Sequence, residues 1–200
     1  MKLYYSPGAC SLSPHIVALE LGLPLVLDKV DLKAKKTSTG ADYLGVNPKG
    51  YVPAIEMEDG AVLTEGPAIV QYLADRKPGT LAPANGTTER YRLQEMLGFI
   101  NSEVHKTYSV FFDNPPDAVR AAATAKLEKR YAYIEKQLAG HDYLFGPAFT
   151  VADAYLFVVT SWATVLKLDL SAFPNLLAFQ KRVAARPAVR QAMQEEGLIA

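Results

Sequence analysis

The chain has 200 residues, half of them hydrophobic, with 21 basic and 21 acidic side chains and a formal net charge of zero. That balance gives no pull toward nucleic acid or an anionic membrane, and no run approaches the ~18 apolar residues of a membrane span. One cysteine excludes an internal disulfide, and one cysteine with three scattered histidines makes no metal-ligand pattern.

The chain opens with Met1-Lys2 and passes at once into a strand-like segment. There is no apolar run of a signal peptide, so the expectation is a cytoplasmic protein. Lys2 to Tyr5 reads as a short strand, broken by Pro7-Gly8. Ser13 reads as an N-cap with Pro14 at the first helical position, followed by Ile16, Leu19 and Leu23 at helical spacing. Leu25 to Val30 reads as a second strand, and Lys33 to Gly40 as a polar loop. Ala54 to Met57 and Ala61 to Thr64 flank Glu58-Asp59-Gly60 as a hairpin. Glu65-Gly66-Pro67 then opens a helix carrying Ile69, Tyr72 and Leu73.

Lys77 to Gly86 is rich in proline and glycine and reads as a linker. Everything beyond it reads as helix. Leu93, Leu97, Ile100 and Val104 form one apolar face; Leu127, Tyr131, Ile134 and Leu138 form a second. Val151 to Trp162 is apolar nearly all round and is expected at the buried centre of a bundle. Thr150-Val151-Ala152-Asp153 before it is a capping-box pattern with Asp in place of Glu or Gln. Pro174 and Pro187 punctuate two final helices. The prediction is an α/β domain over residues 1–79, a linker over 80–86 and an all-helical domain over 87–200.

Four places carry candidate chemistry. Cys10 lies near a helix N-terminus, where free N–H groups and the helix dipole favour a thiolate. The expectation is a low-pKa thiol able to form a mixed disulfide with a small external thiol; a buried packing cysteine is the alternative. Val52-Pro53 at a strand entrance is a candidate cis bond, which would turn the Val52 N–H and C=O toward an extended peptide; an ordinary trans proline is the alternative. Glu65 and Gly66 place a carboxylate beside a helix N-terminus. That pair suits the ammonium and carboxylate of an amino-acid end. Gly98, Ser102, His105 and Ser109 form a small or polar stripe one residue round from the apolar face, with His105 as a hydrogen-bond donor. Lys33, Lys35 and Lys36 could anchor a carboxylate. His15 and His141 offer less, and there is no Gly-rich phosphate loop.

Read together, these segments resemble a bacterial glutathione transferase of the beta class, from end to end. The likeness is carried by Tyr5-Ser6-Pro7-Gly8-Ala9-Cys10-Ser11, by Val46-Asn47-Pro48-Lys49-Gly50-Tyr51-Val52-Pro53-Ala54 and by Leu63-Thr64-Glu65-Gly66. It continues in Glu103-Val104-His105-Lys106 and in Phe149-Thr150-Val151-Ala152-Asp153-Ala154-Tyr155-Leu156-Phe157. The resemblance implies a thioredoxin-like N-terminal domain, an all-helical C-terminal domain and a homodimer. It implies glutathione as co-substrate, no metal, and a role in detoxification.

By the same likeness Cys10 faces the glutathione sulfur, and Glu65 and Gly66 hold the γ-glutamyl end. Val52, before a cis Pro53, pairs with the cysteinyl backbone, and Lys35 reaches the glycine carboxylate. His105 is the second thiol-side residue, with Ser102 beside it at the mouth of the site. Thr150 and Asp153 are structural. Two positions depart from the family: Tyr51, often glutamine there, and Gly98, where a relative's asparagine contacts glutathione across the dimer. The electrophile pocket is expected at Tyr108, Phe111 and Phe112, with Trp162 packing in the core. Three activities stay open: conjugation to a small hydrophobic electrophile, disulfide reduction or reductive dehalogenation through a Cys10–glutathione mixed disulfide, and sequestration without turnover.

Overall fold

A computed structural model describes residues 1–200. The chain divides into two compact units, one of residues 1–82 with 186–200 and one of residues 83–185.

The first unit is built on a sheet of order β3-β2-β1-β4-β5. β1 (Lys2–Tyr5) leads through α1 (Leu12–Glu20) to β2 (Val26–Asp31), which pairs with it in parallel. β3 (Lys36–Thr37) is a two-residue edge strand inside the segment expected to be loop. β4 (Ala54–Glu56) and β5 (Val62–Thr64) form the expected antiparallel hairpin, and α2 (Gly66–Asp75) follows. This is the thioredoxin-like arrangement. Successive residues of β1, Leu3 and Tyr4, are both buried, so both faces of the sheet are covered. Tyr4 joins Val30, Tyr43, Val52 and Ala54 in one apolar cluster, which seats the loop before β4 against the sheet.

Helix α1 begins two residues earlier than the Ser13 reading. Ser11 is the N-cap, and the Leu12 and Ser13 N–H groups already bond to the Ala9 and Cys10 carbonyls. All residues from Leu12 to Ala18 are buried, so α1 has no solvent face to spare. Part of its cover comes from the end of the chain. His15 lies buried between two carboxylates, with Nδ1 3.1 Å from Glu196 and Nε2 2.8 Å from Glu195. Glu196 also accepts from the Gly8 N–H, and Arg186 pairs with Glu20 at 2.6 Å. Residues 186–200, including α8 (Pro187–Glu195), thus pack in the first compact unit, although the sequence reading grouped them with the helices of 87–200. Hydropathy marked α8 as a helix but not which helix it covers.

The second unit is helical. It contains α3 (Thr88–Phe99), a π-helical turn (Ile100–His105), α4 (Lys106–Phe112), α5 (Asp117–Leu138), α6 (Val151–Val165) and α7 (Pro174–Ala184). Every residue of α6 from Val151 to Thr160 is buried, as its all-round apolar sequence predicts. The capping box is present. The Asp153 carboxylate accepts from the Thr150 N–H at 2.8 Å and its hydroxyl at 2.7 Å, and from the Leu144 N–H at 2.8 Å. One side chain thus closes the helix start and ties it to the preceding loop. No helix is long and apolar enough to cross a membrane.

Thr150→Ala should lower unfolding stability by about 0.5–2 kcal/mol, the ordinary loss of an N-cap. Thermal melting beside a glutathione titration checks it: the melting point falls and the affinity stays. An affinity loss without a change in melting would contradict a purely structural Thr150.

Candidate active site

In the first unit, three loops converge on the ends of β4 and β5. Cys10 lies in the turn before α1, and its Sγ–H donates to the Val52 carbonyl at 3.4 Å. The Val52–Pro53 bond is cis. The neighbouring Tyr51 carbonyl is pinned by the Tyr43 hydroxyl at 2.9 Å and the Asn47 amide at 2.7 Å. Lys35 donates to the Gly50 carbonyl at 2.6 Å. Gly50 has φ +72, a conformation that favours glycine, and a Cβ there would crowd Leu44 Cδ2 at 3.2 Å.

The low-pKa expectation for Cys10 is overturned. Cys10 is half-buried as a residue, yet enough protein surrounds its sulfur to make desolvation the largest influence. The thiol pKa is pushed up to about 12, against the backbone N–H groups of Cys10 and Ser11 that favour the thiolate. The helix terminus is where the sequence places it, but loss of water outweighs it. Cys10 is a protonated donor at neutral pH.

Glu65 links β5 to α2 with φ 70 and ψ 112, a left-handed backbone unusual for a non-glycine residue. Such a conformation costs roughly 1–3 kcal/mol and persists where surroundings dictate it. Its Oε1 accepts from Lys49 Nζ at 2.6 Å and from the Tyr51 hydroxyl at 2.7 Å. Lys49 also bonds to the Thr64 hydroxyl at 2.9 Å. These bonds, that of Lys49 first, hold the Glu65 carboxyl below the usual carboxylate range. Both donors use one oxygen, which leaves Oε2 for another partner. In the first turn of α2, the Ala68 and Ile69 N–H groups bond back to the Glu65 carbonyl and Pro67 has none. The Gly66 N–H is the donor left over. Tyr51, read as a departure from the family, acts here through its side chain.

In the second unit, His105 closes the π-helical turn, where the Lys106 N–H reaches the Asn101 carbonyl five residues back. His105 Nδ1 is 2.6 Å from the Tyr155 hydroxyl, which donates to Asn101 Oδ1 at 2.8 Å. The ring of Trp162 packs edge-on at 5.0 Å. Burial, with Lys106 as a lesser influence, lowers the His105 pKa to about 4, so the ring is neutral at pH 7. Ser102 is exposed and donates to the Gly98 carbonyl at 3.0 Å. Tyr108 and Phe111 are buried in this unit's core, the Tyr108 hydroxyl bonded to that of Tyr131. Phe112 alone of the three expected pocket residues is well exposed, its ring 5.6 Å from that of the buried Trp162. No three His, Cys, Asp or Glu side chains gather in a way that could hold a metal.

Sequence reasoning missed Lys49, Asn101 and Tyr155. The four-residue step from Asn101 to His105 was a readable signal. Tyr155 was hidden among the apolar residues of α6, and Lys49 meets Glu65 only once the hairpin forms.

Two family models match the chain: the glutathione S-transferase N-terminal domain over residues 8–76 and the C-terminal domain over residues 98–187. Glutathione S-transferase GstA of Escherichia coli O157:H7 is 45% identical over 99% of this chain and 100% of its own. A sphingomonad glutathione S-transferase solved in complex with glutathione is 46% identical, with TM-score 0.93 and complete coverage of both chains. The bacterial beta-class enzyme of Sphingomonas chungbukensis is 45% identical with TM-score 0.95, again over all of both chains. The chain belongs to the glutathione S-transferase family. Within it, the match to the Sphingomonas chungbukensis enzyme places it with the bacterial beta class.

Two measurements follow from the buried groups. Alkylation of Cys10 should be slow at neutral pH and still rising above about pH 9, where a free thiol is already largely ionised; a plateau near pH 7 would contradict the desolvated thiol. The second concerns acid stability. An unfolded histidine takes its proton near its ordinary 6.5, and folded His105 only near 4, so acidification through that window costs stability. Asp153 acts with the opposite sign. Desolvation raises its folded pKa from 3.8 to about 6, so the same acidification favours the folded chain. His105→Gln removes the first contribution. Its melting point should therefore hold up better than wild type between about pH 6.5 and 4.5, and parallel profiles would show that His105 is not held neutral.

Proposed function

We propose that this chain binds glutathione at the loops around β4 and β5 and joins its sulfur to small hydrophobic electrophiles. The observation that carries the reading is the Glu65–Gly66 junction. A carboxylate with one oxygen already fixed by Lys49 and Tyr51, and one oxygen over, stands beside an unused helix N–H. That arrangement complements the α-ammonium and α-carboxylate of a γ-glutamyl group. The Val52 N–H and carbonyl then pair with the cysteinyl residue of the tripeptide. Lys35 exchanges the Gly50 carbonyl for the terminal glycine carboxylate. Tyr51 and Pro53 frame this segment, and Ser102 and His105 serve from the helical unit, as the family resemblance implies.

Once the Val52 carbonyl is taken, the Cys10 S–H is released and can donate to the glutathione sulfur. A protonated thiol suits that role: it stabilises a developing thiolate without competing as a nucleophile. The thiol proton passes to water, the glutathione sulfur bonds to the electrophilic carbon with the electron pair it keeps, and the leaving group departs with its bonding pair. A mixed disulfide between Cys10 and glutathione needs the opposite state, a Cys10 thiolate attacking oxidised glutathione and expelling one glutathione thiolate. The raised pKa of Cys10 weighs against that alternative and against dehalogenation by the same route. Phe112 is the residue offered for the electrophile; Tyr108 and Phe111, buried in the core, are not. A cytoplasmic homodimer working in detoxification completes the reading, on the family likeness alone.

Glu65→Ala should weaken glutathione binding about tenfold or more, the cost of one charge-assisted hydrogen bond at roughly 1.5–3 kcal/mol. Calorimetry measures it, and unchanged affinity removes Glu65 from the site. Cys10→Ala, assayed with a chloronitroarene and with a mixed-disulfide substrate, should keep conjugation within about tenfold. Abolished conjugation would instead make Cys10 the reacting group.

A further inference from the structure

Two charges stand at the Glu65–Gly66 junction. Lys49 Nζ donates to Glu65 Oε1 at 2.6 Å and to the Thr64 hydroxyl at 2.9 Å. An ammonium has three N–H donors, so these contacts leave one of them over. The Lys49 and Glu65 side chains are 46% and 48% exposed, which opens the pair to a ligand from solvent. The hydrogen bond to Glu65 raises the Lys49 pKa, and the ammonium stays charged at neutral pH. Tyr51 donates to the same Oε1 at 2.7 Å, but it is neutral: it orients the carboxylate without changing the sum of charge. A lone carboxylate attracts any ammonium, a simple amine as readily as an amino acid, and repels the α-carboxylate that an amino acid brings with it. Glu65 paired with Lys49 sums to zero and offers both signs on neighbouring atoms, Oε2 as acceptor and the remaining Lys49 N–H as donor.

We propose that Lys49 is a specificity-determining residue of this site: it turns its remaining N–H to the α-carboxylate of the ligand, beside the Gly66 N–H, and so makes the site select an α-amino-acid end over a simple amine. This rests on the reading that Glu65 and Gly66 hold the γ-glutamyl group. The ligand ammonium takes Glu65 Oε2, and the bond between Lys49 and Oε1 is kept. Each cation then lies beside both carboxylates, so every repulsion between like charges is offset by a closer attraction. A simple amine on the same carboxylate meets the Lys49 ammonium with no second anion to offset it. The family resemblance gave this end of the ligand to Glu65 and Gly66 alone; the hydrogen bonds of Lys49 add a third member, which acts on binding and takes no part in the chemistry at sulfur.

The test is calorimetry of the full-length protein with glutathione and with γ-aminobutyryl-cysteinylglycine, which keeps the ammonium and lacks the α-carboxylate. Wild type should prefer glutathione by about fivefold or more, the scale of a charge-assisted hydrogen bond reduced by exposure. In Lys49→Met that preference should fall at least about threefold. Glutathione binds more weakly to the variant, and the amine analogue binds as tightly as before or more so, because the Glu65 charge is no longer shared. Tyr51→Phe, which removes a neutral donor from the same oxygen, should weaken both ligands alike and leave the preference standing. Lys49→Met that weakens both ligands alike makes Lys49 a brace for Glu65 and overturns the proposal. So does a variant that holds glutathione more tightly than wild type, which would make Lys49 a competitor for the carboxylate. A preference lost equally in Tyr51→Phe puts the selection in the orientation of Glu65 and overturns it too. Glu65→Gln with wild-type glutathione affinity overturns the reading beneath, whatever the Lys49 variant shows.

Discussion

The Glu65 carboxylate is the constraint from which the proposed site is built. Its backbone is held in a left-handed conformation between β5, paired with β4, and the start of α2. That conformation starts α2 at Gly66, so a helix N–H lies next to the carboxylate. Lys49 and Tyr51 then take one of its oxygens, which ties the loop before β4 to the junction after β5. The same loop is anchored below by Tyr43 and Asn47 at the Tyr51 carbonyl, and Tyr43 belongs to the apolar cluster on the sheet. Core packing is thereby transmitted in a few short bonds to an exposed, charged surface.

Desolvation is the largest influence on the Cys10, His105 and Asp153 side chains. It raises Cys10, lowers His105 and raises Asp153, in each case toward the neutral form. Cys10 and His105 belong to the proposed chemistry and Asp153 to the architecture. Asp153 accepts three hydrogen bonds at the start of α6, which explains how a carboxyl is tolerated at a fully buried position. A neutral thiol and a neutral imidazole suit a protein whose nucleophile arrives on the substrate. The chain itself supplies donors and acceptors instead of a reactive anion.

Strands β1 and β2, the β4–β5 hairpin, the buried α6 and the Thr150–Asp153 box were legible in the sequence, because hydrophobic period and turn chemistry are local; the two-residue β3 was not. The placement of α8 was not, since covering α1 with residues more than 160 positions away is a tertiary matter. Cys10 shows the same limit in one residue. Its position before a helix was readable, but the helix dipole and desolvation push its pKa in opposite directions, and only packing says which prevails. Glu65 was readable as a residue next to a helix start. Its partners Lys49 and Tyr51 were not, because they lie 16 and 14 positions away and meet it through the fold.

The central claim is that the Glu65 carboxylate and the Gly66 N–H recognise the charged end of a γ-glutamyl group. Calorimetry of glutathione and of butyryl-cysteinylglycine, which lacks the α-ammonium and α-carboxylate, on wild type and on Glu65→Gln measures that coupling directly. The account predicts that removing the charged groups weakens binding to wild type by about tenfold or more and costs the variant far less. Equal losses in both proteins would contradict it, because the charged end would then be held somewhere else.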